Sequence, residues 1–276
     1  MHAMLSATEH SLPFRDSQFG LAPARQNRLL AALPPLDRER VQPLLEPVLL
    51  SRGKVLHEAH ASVRHVYFPT TAIVALLQIM SDGATGEIAI VGNDGLVGLA
   101  GVTGAETTHS RAIIQSEGYG YRVRADLLQR EFARGGAMQA LVLRYMQALI
   151  TQIAQTAICN RRHSLQQQLC RWLLLSLDRL PSANMQMTQE LIANILGVRR
   201  EGVSDAASRL KAAGLIHYSR GQINVLDRGG IEALSCECYA VVRSECDRLL
   251  GGAAQRQAAP GNTGTWQQAA IACPAG

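Results

Sequence analysis

The chain changes its hydrophobic period along its length. From 48 to 123 apolar and polar positions alternate with a period of two, the pattern of half-buried strands. Runs 63–68, 72–80, 87–91, 111–115 and 119–123 read as strands. Ser81-Asp82-Gly83, Gly92-Asn93-Asp94-Gly95 and Gly118 supply turn signals between them. Many short strands with glycine turns predict an antiparallel sandwich or jelly roll. Ahead of this region, 25–33 and 36–45 read as two short amphipathic helices broken by Pro34-Pro35. Behind it the period becomes helical. A short helix is expected over 125–133, ended by Gly135-Gly136, and a long one over 137–160, roughly 36 Å at the helical rise. In the long helix Val142, Met146, Leu149, Ile153 and Thr156 step by four and three, a coiled-coil-like seam suited to a second copy of the chain. An amphipathic helix over 164–180 follows, closed by Pro181.

The stretch from 187 to 227 carries the most information. Leu191, Ile192, Ile195 and Leu196 give 189–196 one apolar face, Thr188 stands where an N-cap belongs, and Gly197 follows the last apolar residue. A second helix runs over 200–213 with Val203, Ala206, Ala207 and Leu210 as its buried stripe. Ala193 is small where the two helices must cross. The remaining face of the second helix is polar: Arg200, Glu201, Ser204, Asp205, Ser208 and Arg209. Gly214 ends it, and 215–218 and 222–226 read as two β-runs around Ser219-Arg220-Gly221. A helix-turn-helix followed by a hairpin is a winged helix, and its polar face has the dimensions of a major-groove reader. Asp227 can N-cap a last helical region reaching to about 250.

Thr188 to Asp227 resembles the DNA-binding domain of the Crp/Fnr family of bacterial transcription regulators. The residues that carry the resemblance are Met187-Thr188, the IANILGV segment from Ile192, Arg199-Arg200-Glu201, the SRLKAAGLI segment from Ser208, and Val225-Leu226-Asp227. The resemblance implies an α+β chain: an N-terminal β-roll of the cyclic-nucleotide-binding type, a long dimerisation helix and a C-terminal winged helix-turn-helix. On that reading 1–24 is a flexible N-terminus, 25–136 the β-roll, 137–163 the dimerisation helix, 164–250 the DNA-binding domain and 251–276 a disordered tail. The implied partners are double-stranded DNA and a second copy of the chain. RNA polymerase and an effector of unnamed chemistry are left open. Arg200 and Glu201 match the Arg-Glu pair with which family members read bases. Asp205 departs from the pattern, because well-known members carry a second base-reading Arg there. Arg200 is expected on guanine edges, Glu201 on a cytosine amino group, and Ser204 and Asp205 on neighbouring edges. Thr188, Gln189 and Arg220 are expected on phosphates, with Arg199, Ser208 and Arg209 completing the DNA face. The dimer interface is expected at Val142, Met146, Leu149 and Ile153.

Composition adds little and excludes some classes. Of 276 residues 47% are apolar and 18% charged, with a net charge of +5. No apolar run is long enough to span a membrane and 1–25 contains no apolar signal core, so a cytoplasmic protein with no membrane partner is expected. Five basic residues stand against two acidic ones between Arg199 and Arg220. No nucleophile pattern, phosphate loop or carboxylate pair suggests an enzyme. Nucleotide-binding relatives carry a Glu for the ribose and an Arg directly before a Ser/Thr-Ala pair. Here 95–100 contains no Glu, and Arg111 directly precedes Ala112, one place late; cyclic nucleotide is not expected to bind. Six cysteines invite a redox or metal-sensing alternative. Cys236, Cys238 and Cys246 lie close in sequence while Cys159 and Cys170 lie elsewhere. Cys236-x-Cys238 lacks the usual two-residue spacer, so free thiols and no metal or cofactor site are expected. His57, His60 and His65 have no carboxylate frame. A further alternative is a β-roll ligand-binding protein whose winged helix makes only protein contacts.

Overall fold

The computed structural model describes residues 24–250. The regions expected to be a flexible N-terminus and a disordered tail lie outside the described residues, Ala24 apart. Chain order is α1 (Arg28–Ala31), α2 (Pro35–Val41), β1 (Glu46–Leu50), β2 (Val55–His57), β3 (His65–Pro69), β4 (Ile73–Ile79), β5 (Thr85–Val91), α3 (Leu99–Thr103), β6 (Ser110–Ser116) and β7 (Gly118–Arg124) in the first half. All strand pairs are antiparallel. One sheet has the order β1-β7-β3, the other β2-β6-β4-β5. Leu50, Val66, Phe68 and Val123 from the first sheet share a core with Val74, Ala89, Val91, Ala112 and Ile114 from the second, so the two sheets enclose one apolar interior. The expected α+β class and antiparallel roll are therefore present.

Two details differ from the sequence reading. Pro35 does not merely break two helices. It occupies the first turn of α2, where its missing N–H costs nothing. Strands β1 and β2 escaped prediction. Both are mostly half-exposed, and β1 carries Pro47, so neither shows the clean alternation of the inner strands.

The helical half contains α4 (Ala125–Ala133), α5 (Gly136–Arg162), α6 (Leu165–Leu177), β8 (Asn184–Gln186), α7 (Gln189–Leu196), α8 (Arg200–Ala212), β9 (Ile216–Ser219), β10 (Gln222–Val225), α9 (Arg228–Leu234) and α10 (Glu237–Leu250). Helix α5 has 27 residues, about 40 Å of axis. It lies over the roll so closely that a Cβ at Gly95 would collide with the Tyr145 ring, whose hydroxyl donates to the Leu96 carbonyl at 2.8 Å. Ser164 and Gln167 form a capping box that starts α6 immediately after α5 ends. The region expected as one last helix is two, because α9 stops at Ser235 before α10 begins.

The two halves meet at a polar joint. Arg179, after α6, is buried and pairs with Asp94 of the roll at 2.7 Å; the same guanidinium donates to Gln152 of α5 at 2.9 Å. Gln152 in turn donates to the Ile90 carbonyl at 3.0 Å. Nearby, the Glu87 carboxyl is enclosed although the residue keeps partial exposure. Burial pushes its pKa up to about 8, against the opposing pull of a 2.9 Å hydrogen bond from Gln115 and the charge of Arg171.

Candidate nucleic-acid interface

Local signals build the winged helix in order. The Thr188 hydroxyl accepts the Leu191 N–H at 3.2 Å and opens α7. Gly197 closes it in the left-handed region at φ 65°, which lets the Val198 N–H return to the Ala193 carbonyl at 3.0 Å. Ile192, Ala193, Leu196, Val203, Ala206, Ala207 and Leu210 are all buried between the two helices and their neighbours, as their spacing predicts. The hairpin turns on Arg220 and Gly221, both at positive φ, between the paired residues Ser219 and Gln222. Two left-handed residues in a two-residue loop are the type I′ arrangement that matches strand twist. Strand β8 was not predicted; it adds a third strand to this sheet, in the order β8-β10-β9. The Met187 N–H donates to the Gly221 carbonyl at 2.7 Å and so docks the wing on the start of α7.

This docking makes a concave cleft of about 530 Å³ lined by Thr188, Gln189, Glu190, Arg200, Tyr218, Ser219, Arg220 and Gly221. Four expected DNA-facing residues, Thr188, Gln189, Arg200 and Arg220, thus share one surface. Along α8, Arg200, Glu201, Asp205 and Ser208 are exposed and Ser204 is partly so; Arg199 is the exposed N-cap residue. Arg209 is exposed as well but donates to Gln166 of α6 at 3.1 Å, which turns it toward the protein. Tyr218 was missed. Its hydroxyl donates to the Met187 carbonyl at 2.9 Å, burial raises its pKa and the Arg200 charge acts against that rise; both residues line the cleft. An aromatic one residue before the wing turn was the available signal.

The roll contains a second hollow, of about 220 Å³, between α3, the β4–β6 face and α5. Its walls are largely apolar, with His57, Thr108 and Ser110 as polar exceptions. Arg111 is not among them: its guanidinium makes a two-pronged contact with Glu58, at 2.6 and 3.1 Å. Burial lowers the His57 pKa and so favours the neutral ring.

The long helix presents its stripes differently from expectation. Val142 is 1% exposed, inside the chain's own core, and Met146, Leu149 and Ile153 pack partly buried against the roll. Val142 faces inward, while Met146, Leu149 and Ile153 rest on the roll and keep part of their surface exposed. Rotated by about one residue lies a second stripe in which Leu143, Ile150 and Ile158 are 51%, 57% and 53% exposed. Leu143 and Ile150 are seven apart, as Val142 and Leu149 are, so that spacing alone could not separate the two stripes.

Cys236 immediately precedes α10, and Cys159 of α5 is brought to it across 77 positions of chain. Cys246 lies apart, beside the Asp94–Arg179 joint.

Residues 167–234 match the model of the Crp-like helix-turn-helix domain. Solved structures described as Crp- or Crp/Fnr-family regulators are similar to this chain in fold. FixK2 from Bradyrhizobium japonicum superposes with a TM-score of 0.59 at 17% identity, covering 70% of this chain and 98% of its own. A Crp-family transcriptional regulator from Thermus thermophilus gives 0.57 at 18% identity, covering 69% and 96%. A Crp/Fnr-family regulator from Eubacterium rectale gives 0.56 at 15%, covering 75% and 96%. No curated protein matches the chain. Among the described residues no helix is long and apolar enough to cross a membrane.

Proposed function

We propose that the chain is a dimeric, sequence-specific DNA-binding transcription regulator that works without a cyclic nucleotide. The observation that carries this reading is the cleft where Arg200 at the start of α8, the α7 N-terminus and the wing tip at Arg220 converge on one exposed surface. Arg200 can pair with guanine O6 and N7, and Glu201 can accept from cytosine N4. Ser204, Asp205 and Ser208 continue the same face. Thr188, Gln189, Arg199 and Arg220 surround it at the height of the phosphates, where contacts set register rather than sequence. Arg209 joins only by leaving Gln166.

The exposed Leu143, Ile150 and Ile158 stripe supports pairing of two long helices, and two-fold pairing suits an operator with two half-sites. Among the described residues the walls of the roll hollow carry no Arg or Lys, and Arg111 beside it is paired with Glu58. The test is selection from a randomised DNA pool at fixed salt, since affinity varies steeply with salt. A palindromic consensus is expected. Recovery of no preferred sequence would favour a roll protein whose winged helix touches only other proteins. Sedimentation of an Ile150→Glu, Ile158→Glu variant should show monomer, whereas Leu149→Glu, Ile153→Glu should instead disturb the roll.

A further inference from the structure

The C-terminal end of α5 and the α9–α10 junction hold a set of side chains that the DNA-reading surface does not use. Cys159 and His163 stand four apart at the end of α5, on one face of the helix. Cys236 and Cys238 flank the first residue of α10. Together they bring three sulfurs and one imidazole nitrogen within 4.8 Å of one another. We propose that Cys159, His163, Cys236 and Cys238 form a zinc site that clamps the end of the long helix to the C-terminal helices.

The distances are those of an ion's coordination shell rather than of thiols packed by chance. In a tetrahedron with zinc–sulfur bonds of about 2.3 Å and a zinc–nitrogen bond of about 2.0 Å, the edges between ligands are roughly 3.5–3.8 Å. Cys159 Sγ and Cys236 Sγ are 3.5 Å apart, and Cys238 Sγ is 3.6 Å from His163 Nδ1. The largest ligand separation must shrink by about an ångström, within reach of side-chain torsions. A polynuclear cluster would hold its ligands farther apart, so the dimensions favour a single ion.

The surroundings match as well. His163 Nδ1 faces the thiols while its Nε2 lies 3.3 Å from the Glu237 carboxylate. A metal-bound imidazole commonly donates its other N–H to a carboxylate, which fixes the ring and strengthens the ligand. Three thiolates around a zinc ion leave one negative charge. Arg171 supplies the opposite one: it is 4% exposed, its charge acts on both Cys159 and Cys238, and its Nε and Nη1 have no hydrogen-bond partner among the described residues. Without thiolates, that buried guanidinium is answered by the Thr156 hydroxyl and by the Glu87 carboxyl, on which its charge acts. All three cysteines are buried, and the site is closed rather than open to substrate, the character of a structural site.

The position gives the site consequence. His163 is the C-cap of α5 and Ser164 the N-cap of α6, so the ion would sit at the joint between the long helix and the DNA-reading half. It would tie that joint to Cys236, 77 positions along the chain from Cys159.

The experiment is metal analysis of the purified full-length chain, with cobalt spectroscopy. About one zinc per chain is expected in the parent. Cys238→Ser and His163→Ala should each lower it at least tenfold, His163→Cys should restore it, and Cys246→Ser, outside the set, should leave it unchanged. Should the serine variants not fold, the parent stripped by chelator and refilled with cobalt provides the second reading. Intense sulfur-to-cobalt charge-transfer and tetrahedral d–d bands are expected at one equivalent. Metal-free protein that takes up no cobalt would overturn the proposal. So would a Cys159–Cys236 disulfide seen as a two-hydrogen mass loss, iron with acid-labile sulfide, or zinc content indifferent to these substitutions.

Discussion

The cleft under the wing and the hollow in the roll are opposites. The cleft under the wing is open, edged with Arg200 and Arg220, and built from the backbone turns at Gly197 and Gly221. The hollow in the roll is smaller and largely apolar, and the Arg111 guanidinium, next in sequence to its lining residue Ser110, is paired with Glu58. The cleft thus presents cationic side chains to solvent, while the hollow beside α3 is lined mainly by apolar ones. The roll and the helical half meet at a joint where Arg179 pairs with Asp94 and Gln152, and Ile73 and Ile90 of the roll add apolar contact with the core of the helical half.

The largest effect is expected where that joint is cut on one side. Asp94→Ala would strand the Arg179 guanidinium, which is 4% exposed. Breaking a buried pair in this way costs about 3–5 kcal/mol, whereas replacing both members by apolar residues is often neutral. Urea unfolding should therefore place Asp94→Ala well below the parent and an Asp94→Leu, Arg179→Met double variant above that single variant. A single variant as stable as the parent would mean that the roll and the reading half are not coupled here.

The second effect depends on pH. The Glu87 carboxyl titrates near 8 in the fold because burial disfavours its charge. The folded chain keeps a proton that the unfolded chain has already lost, so stability falls as pH rises from the ordinary carboxylate range through about 8. Below that range both states are protonated and the difference vanishes. Glu87→Gln should therefore raise the melting temperature at pH 8 and change it little at pH 4. An equal shift at both values would assign the effect to packing instead of charge.

The third prediction turns to the reading face. Arg200→Ala should remove roughly 1–3 kcal/mol of discrimination at one base pair per half-site. Asp205 can only accept a hydrogen bond, so Asp205→Ala should relax a different position and, with one negative charge gone from the face, leave non-specific binding equal or stronger. The check is selection from a randomised pool with each variant at the same salt. Unchanged consensus sequences would remove α8 from the groove.

The reading half was legible because its signals are local: a Thr cap, a Gly stop, an apolar stripe and a two-residue turn each act within a few positions. The inner strands of the roll were legible for the same reason, since alternation is enforced by one shared core. Strands β1, β2 and β8 were not, because short half-exposed strands at sheet edges have little pattern to show. The orientation of α5 was hidden by two stripes of one period, Val142–Leu149 toward the roll and Leu143–Ile150 toward solvent. Cys159 and His163 carried a helical spacing of four, but their neighbours Cys236 and Cys238 come from a turn far along the chain, and no periodicity announces such a meeting.

The smallest effect concerns Arg111, and it tests the roll side of the contrast. Its pair with Glu58 is 33% exposed on one partner and 51% on the other. Surface pairs of this kind contribute about 0–1 kcal/mol, so Arg111→Ala should scarcely alter melting. The informative measurement is calorimetry with cyclic AMP on the parent and on the variant. A phosphate in the hollow would need a cation, and recruiting Arg111 would mean parting it from Glu58 and swinging it inward among apolar walls with no carboxylate there to hold a ribose. Neither protein should show binding at micromolar ligand, and Glu58→Gln, which frees Arg111, should not create it. Binding that appears in the parent and disappears in Arg111→Ala would show that the guanidinium does enter the hollow, and the two concavities would then differ in occupancy rather than in chemistry.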